Sequence, residues 1–543
     1  MPGRGASCDR GSRYSAFALC AGGTAQRVAG LATLAAALAG FDVLAAEPES
    51  GFDDAFDAVM AHYRLPGLAV GVIENGEVTY KRTDGERVAG SGAAITDDTL
   101  FKIASNSKAM TASVLARLVD AGRLRWDDPV IRHLPEFRMY DPWVTQNLQV
   151  RDLLIHNSGL PAGAGDLMFW PEPNSFTRAD VLAGLAHLRP AYSFRSGYAY
   201  DNTLYIVAGE VAAAAGGATF EALVRREIFE PLGLECRVGE WQRHLGDDVA
   251  QPHVQIDERN VVVREDGDLV PAITMAAAGG IRCSLDDMLV WAGNWLEPDA
   301  VQQRWLSEEQ RRAMWVGRTP MPVSDEARRW NDTHYSAYGY GFRLADVDGE
   351  WTVSHTGSLM GMYSAMFLLP GRKSGFVILM NGSGSDARTV LTQLLAKRFT
   401  APDDTRGAAW YIADLEREED DPDQPSAPDT SMRAAVTPEA MREFTGLWRD
   451  PWFGKVSICA QGGLVKFSSE KSPMLTGTIM EASGRRLVDW DEPTVSEEAW
   501  LSFAEGIDGA AATLTMAKVD PEADFSADYE DLFFTRTADC PPR

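Results

Sequence analysis

Two β-rich pairs stand at opposite ends of one long stretch of this chain, with mostly helical sequence between them. Residues 68–73 and 77–82 flank Asn75-Gly76, a dipeptide that favours a hairpin because both turn positions tolerate positive φ. Far downstream, residues 363–369 and 375–380 form a second antiparallel pair around Pro370-Gly371. The apolar-periodic segment 386–399 then reads as a helix able to cover a sheet face. Strands so placed imply one antiparallel sheet assembled from both ends of the region, with the helices as an insertion. The expected class over residues 50–400 is therefore α+β.

At 543 residues the chain is too long for a single core. Residues 401–435 include EREEDDPDQPSAPDTS, which is acidic, Pro-rich and poor in large apolar residues; such a stretch buries too little to offset ordering and reads as a linker. Residues 436–540 return to short alternating runs (LVKFSS, GTIMEA, RRLVDW, AWLSFA) separated by turns, the pattern of a small all-β barrel or sandwich.

The first 46 residues differ from the rest. Arg4, Arg10, Arg13 and Arg27 precede the apolar run VAGLATLAAALAGF, and Ala45-Ala46 stand before Glu47-Pro48. A basic region, a short apolar segment and small residues describe a secretory signal peptide, so the protein is expected to be periplasmic or secreted, with an uncleaved membrane anchor as the alternative. Of the six cysteines, Cys8 and Cys20 would leave with that segment. An exported protein can pair Cys459 with Cys540. No CxxC pair and no Cys/His cluster of zinc spacing occurs, so no metal and no cofactor are expected. A net charge of −27 without a basic stripe argues against nucleic-acid binding.

Ser105 and Lys108 stand three positions apart in FKIASNSKAM, and Ser468 and Lys471 repeat that spacing in KFSSEKSPML. The second copy follows a β-like run, is closed by Pro473, and reads as a surface turn. The first opens an apolar helix: Met110, Val114, Leu115, Leu118 and Val119 share one face, and Gly122 stops it. On a helix, i and i+3 are neighbours, so the Lys108 amine reaches the Ser105 hydroxyl. Burial there lowers a lysine pKa, and a neutral amine accepts a proton. Unpaired N–H groups at the helix start offer one oxyanion donor. Taken alone, Ser105 is equally well a helix cap. Two further segments shift the balance. Tyr200-Asp201-Asn202 presents a phenol and an amide, and His355-Thr356-Gly357-Ser358 ends a β-run with a glycine that permits close backbone approach.

Ser-x-x-Lys, Tyr-x-Asn and His-Thr-Gly, in that order, resemble the serine β-lactamase and penicillin-binding-protein superfamily, in the branch of class C β-lactamases, D-alanyl-D-alanine carboxypeptidases and related esterases. VRDLLIHNSGLP (150–161), AAGGIRCSLDDM (277–288) and YGYGF (338–342) are similar to the same branch, and the C-terminal part is similar to the lipocalin-like domain often fused to such hydrolases. The resemblance implies a β-lactamase/transpeptidase-like sheet with a helical domain, plus a C-terminal all-β barrel-like domain. It implies Ser105 as the acylated nucleophile, Lys108 as its activator and Tyr200 as assisting base and acid, leaving open which of the two is the general base. It implies Asn202 as a partner of Lys108 or substrate, His355 as orienting Tyr200 or substrate, Gly357 beside the substrate, and the N–H groups of Ser105 and Ser358 as the oxyanion hole. His156 reads as structural, packing a helix end.

Where the family usually carries Lys-Thr-Gly, this chain has His355-Thr356-Gly357. Histidine is mostly neutral near pH 7, so a substrate carboxylate loses its fixed positive partner. Phe194-Arg195-Ser196-Gly197 also replaces the Pro-Gly common before Tyr-x-Asn. The expectation is an exported serine hydrolase acting through an acyl-enzyme on an ester, peptide or amide bond of a small molecule or peptide. The alternatives are a true β-lactamase and, in another class, an acylated sensor that does not turn over. An α/β-hydrolase is set aside, because no Gly-x-Ser-x-Gly elbow occurs. The C-terminal domain is open to three roles: covering the cleft, limiting substrate size, or mediating a homo-oligomer.

Overall fold

The turn at Asn75 and Gly76 takes φ of 52° and 86°, and the strands on either side of it form one edge of a large sheet. The computed structural model describes residues 48–542 apart from 245–246, 383, 420–424 and 506–510. The expected signal segment 1–46 lies outside the described residues. In chain order the first region runs α1 (Pro48–His62), β1 (Gly67–Glu74), β2 (Glu77–Gly85), α2 (Ser107–Asp120), α3 (Thr203–Gly216) and α4 (Leu285–Leu296). It continues with β3 (Thr319–Pro320), β4 (Ser336–Tyr338), β5 (Arg343–Val347), β6 (Glu350–Leu359), β7 (Met362–Leu369), β8 (Ser374–Met380), α5 (Gly384–Thr400) and α6 (Ala408–Glu419), with shorter helices and strands between. The sheet order is β2-β1-β8-β7-β6-β5-β4-β3, antiparallel throughout. First and last strands of the region therefore pair, β1 with β8, next to the β2 edge of the sheet.

Helices cover both faces of this sheet, which explains why β1 reads as an unbroken apolar run. Leu68, Val70 and Val72 pack with Phe52 and Phe56 of α1 and Val390 and Leu391 of α5. Ala69 and Ile73 face the opposite core with α2, α3 and α4. Gly71 is a glycine because a Cβ there would lie 2.6 Å from the Leu289 side chain of α4. Helix α2 is buried around nearly its whole circumference and forms the spine of the helical side.

One boundary expectation is corrected. Residues 408–419, inside the expected linker, form α6 and dock on the first region: Tyr411 packs on Trp330 with ring centroids 5.0 Å apart, and Trp330 Nε1 donates to Asp414 (2.7 Å). Trp410, Tyr411, Ile412 and Leu415 give this piece the apolar face that the acidic run after it lacks. Residues 425–429 have no regular structure and are exposed.

The C-terminal region is a closed barrel of strands β9 (Gly446–Asp450), β10 (Gly454–Gln461), β11 (Leu464–Ser469), β12 (Thr476–Ala482), β13 (Arg485–Trp490), β14 (Ala499–Glu505), β15 (Ala511–Lys518) and β16 (Phe533–Ala538). Each strand pairs antiparallel with the next, and β16 pairs back onto β9, so no edge is left open. Cys459 and Cys540 are disulfide-bonded, tying β10 to the chain beyond β16. A second disulfide, Cys236–Cys283, has no counterpart in the sequence expectations.

The barrel packs directly on the helical side of the first region. Phe176 meets Phe453 at 5.7 Å, and one apolar core runs through both. The second Ser-x-x-Lys copy belongs to this contact. Ser468 lies in β11 rather than in a turn, and Lys471 pairs with Asp180 (2.5 Å) while its carbonyl accepts from Ser175 N (2.8 Å). Its serine and lysine are spent on strand and interface.

Candidate active site

Ser105 lies in a single 3₁₀ turn (Ala104–Asn106) that runs straight into α2. Ala104 holds the left-handed region at φ 48°, a costly conformation for a residue with a Cβ that persists only where the surroundings enforce it. Here they do. Ser364 Oγ of β7 donates to Ile103 O (2.7 Å) and accepts from Asn106 Nδ2 (2.8 Å), while Ser107 Oγ accepts from Ile281 N (3.2 Å). The turn is clamped between sheet and helices.

In the first turn of α2, the fully buried Lys108 places Nζ 3.0 Å from Ser105 Oγ, 2.7 Å from Asn202 Oδ1 and 2.9 Å from Ala278 O. Burial pushes this amine down to about 7; Asp166 pulls it up and Arg343 pushes it further down. Tyr200 lies across the amine, its ring centroid 4.8 Å from Nζ. Burial raises its phenol, and Arg343 and a hydrogen bond with Ser105 only partly offset that, so it stays protonated at neutral pH. His156 stacks on Tyr200 at 4.3 Å, and its Nδ1 accepts from Asp201 N (3.0 Å). It is buried and structural in that sense, and its ring fixes the phenol's position.

Asn202 can be oriented from its partners. Oδ1 faces Lys108, and Nδ2 donates to Asp166 Oδ2 (2.8 Å). Asp166 is the group sequence reasoning missed. Burial raises its carboxyl to about 8, against hydrogen bonds from Asn202 and from Ser526 of the barrel (2.8 Å). The same barrel loop sends Asp528 to accept from Gly165 N (2.6 Å) and Leu167 N (3.0 Å), and Phe525 to within 5.7 Å of the Tyr200 ring.

Strand β6 passes on the other side of Ser105. Gly357 is required there, because a Cβ would fall 2.4 Å from Ile103 O. Ser358 and Ser105 line one cavity of about 300 Å³ together with Asp166, Asn202 and barrel residues Glu497, Asp524 and Ser526. His355 is expected to orient Tyr200 or substrate, and its ring lies 6.4 Å from that of Tyr200. Its Nδ1 lies 2.6 Å from Thr356 O, which can only accept, so Nδ1 carries the proton and Nε2 accepts from Tyr338 Oη (2.7 Å). Burial holds the ring well below the usual histidine range. Both nitrogens are bonded within the protein. The positive charge comes from elsewhere: Arg343 Nη1 donates to Thr356 Oγ1 (3.0 Å), and Arg388 of α5 donates to Gly357 O (2.7 Å) and Ser358 Oγ (2.8 Å). Arg343 directly follows the YGYGF stretch, the one signal that pointed near it; nothing in the sequence marked Arg388.

The sequence profile of the Beta-lactamase family matches residues 52–399, and that of a domain of unknown function (DUF3471) matches residues 430–536. The chain is 26% identical over 390 residues to an unguisins hydrolase of Aspergillus campestris, covering 68% of this chain and 69% of that protein. It is 26% identical over 347 residues to penicillin-binding protein 4 of Amycolatopsis lactamdurans, covering 63% and 87%. Other relatives at low identity are named as an esterase, a D-alanyl-D-alanine-carboxypeptidase/endopeptidase and a D-aminopeptidase. The octameric penicillin-binding protein homologue of Pyrococcus abyssi superimposes with a TM-score of 0.56 at 18% identity, over 90% of this chain and 100% of that one.

Proposed function

The chain belongs to the Beta-lactamase family, and from that membership we propose that it hydrolyses an ester, peptide or amide bond through an acyl-enzyme on Ser105. The observation that carries this reading is the Lys108 amine, buried, 3.0 Å from the Ser105 hydroxyl and lowered to about 7. As Ser105 Oγ bonds to the substrate carbonyl carbon, its proton passes to Lys108 Nζ. The charge on the carbonyl oxygen falls to the N–H groups of Ser105 and Ser358. Collapse breaks the scissile bond, and the leaving alcohol or amine takes up the proton, with the Tyr200 phenol as relay. Water then attacks the acyl-serine by the same steps in reverse and releases the acid. Lys108 is favoured as base over Tyr200 because burial raises the phenol and lowers the amine.

A substrate carrying a carboxylate, including a β-lactam or a peptide C-terminus, is favoured by Arg343 at Thr356 and Arg388 at Ser358, which supply the charge that neutral His355 lacks. Export is part of the proposal and rests on the basic-then-apolar N-terminal sequence, with two disulfides in support.

The test is a panel of p-nitrophenyl esters, aminoacyl p-nitroanilides and nitrocefin, run on wild type and Ser105→Ala. At least one substrate is turned over by wild type and slowed by about 10³-fold or more in the variant. Equal rates for both proteins on every active substrate sink the mechanism. An acyl label that attaches to Ser105 and never leaves, with no multiple turnover, replaces it with the sensor reading.

A further inference from the structure

A second compartment, about 400 Å³, opens beside the nucleophile cavity and shares Phe169, Gly279 and Leu359 with it. Its walls are more polar than apolar, with Phe169, Phe176, Trp241 and Ile273 supplying an apolar part. Its charge runs against that of the whole chain. Four basic side chains (Lys102, Arg237, Arg264 and Arg282) line it against two acidic ones, Glu172 and Asp266, in a protein whose net charge is −27. Asp266 is already committed, since Arg282 grips both its oxygens at 2.5 and 2.9 Å.

Lys102 has no such commitment. It stands three residues before Ser105, on a short strand paired with Arg282-Cys283. Among the described residues its amine has no hydrogen-bond or ion-pair partner. Glu172, across the compartment, acts on it through space without forming an ion pair, and among the described residues Arg264 is likewise unpaired. Lys102 is half-buried on the wall of the compartment, so its amine is open to a ligand anion where no protein group pairs with it. Room for a group the size of one or two side chains, an aromatic part of the wall at Phe176 and Trp241, and one unspent amine together describe a receptor for an aromatic or aliphatic group ending in a carboxylate.

We propose that this compartment is an extended substrate subsite, in which Lys102 binds a carboxylate on the arm of the substrate leading away from the Ser105 carbonyl, and Phe176 and Trp241 hold that arm's apolar part. This rests on the hydrolase reading for the word substrate, but the binding itself does not need turnover.

Ser105→Ala protein is titrated by calorimetry with 3-phenylpropionate and, as a neutral control of the same shape, 3-phenylpropionamide. The acid binds at least about tenfold more tightly than the amide, the ratio that one charge-assisted contact of about 1.4 kcal/mol produces. Adding Lys102→Met removes the preference. Lys102→Arg keeps it and serves as the charged control should the methionine protein fold poorly. Arg343→Met separates this subsite from the arginine beside Thr356, and the preference survives that change. Equal binding of acid and amide, or a preference that persists in Lys102→Met and disappears in Arg343→Met, overturns the subsite. Because the readout uses protein without the serine nucleophile, a failure of the hydrolase reading appears separately, as absent turnover in wild type.

Discussion

Lys108 is asked to do two things that conflict in water: stay buried and stay reactive. Burial lowers its amine to about 7, and Asp166, reached through Asn202, pulls the other way. A base works in its deprotonated form, so kcat/KM is expected to rise with pH as the amine loses its proton near 7. Asp166, raised to about 8, is only partly ionised where Lys108 titrates, so Asp166→Asn removes a partial negative charge and the rising limb moves slightly to lower pH. A pH–rate profile on one p-nitrophenyl ester reads both. A limb that stays in place in Asp166→Asn, or moves up, contradicts the coupling. Ser105 and Lys108 were legible in the sequence because three residues on a helix fix their separation. Asp166 was not, because its link to Lys108 is made by a side chain 94 positions further along the chain than the lysine itself. Arg388 escaped for the same reason: it reaches Ser358 from a helix covering the other face of the sheet.

At the scale of elements, β6 and the Ser105 turn lie almost in contact, and that contact is built from small groups. A Cβ on residue 357 would sit 2.4 Å from Ile103 O and 2.5 Å from Ser364 Oγ, the hydroxyl that itself clamps the turn. Gly357→Ala therefore pushes the strand away from Ser105. The expected cost is about 1–3 kcal/mol in stability, as for other overpacked sites. A displacement on the order of 1 Å is also expected to lower kcat by at least about tenfold. Thermal unfolding and steady-state kinetics measure the two effects, and a stability loss with unchanged kcat excludes this strand from the catalytic geometry. The elements themselves were the most legible part of the chain. The Asn75-Gly76 hairpin, the 363–380 pair and the covering helix are local patterns that tertiary packing had no cause to override. Helix α6 is hidden in the sequence because the acidic, Pro-rich run directly after it masks its short apolar face. His355 stands on the strand as expected, and of its bond partners the sequence shows nothing, since Tyr338, whose hydroxyl meets its Nε2, comes from a separate strand.

Across the whole molecule, the barrel reaches into the site. Ser526 donates to the same Asp166 oxygen that Asn202 holds, so a loop of the C-terminal region ends a chain of contacts running Ser105, Lys108, Asn202, Asp166. That hydrogen bond favours the charged carboxylate and lowers Asp166. Without it Asp166 holds its proton to higher pH, less negative charge faces Lys108, and the lysine loses its own proton at lower pH. Ser526→Ala is therefore expected to move the rising limb of kcat/KM in the same direction as Asp166→Asn, by a smaller amount. Through-space effects of a surface loop would act whether or not Asp166 is there; a relay through Asp166 would not. The double variant separates them, because residues joined in one hydrogen-bond network give non-additive shifts. With Asp166 already replaced, adding Ser526→Ala should leave the limb where Asp166→Asn put it, whereas a full additional shift would mean that the barrel acts on the nucleophile by another route.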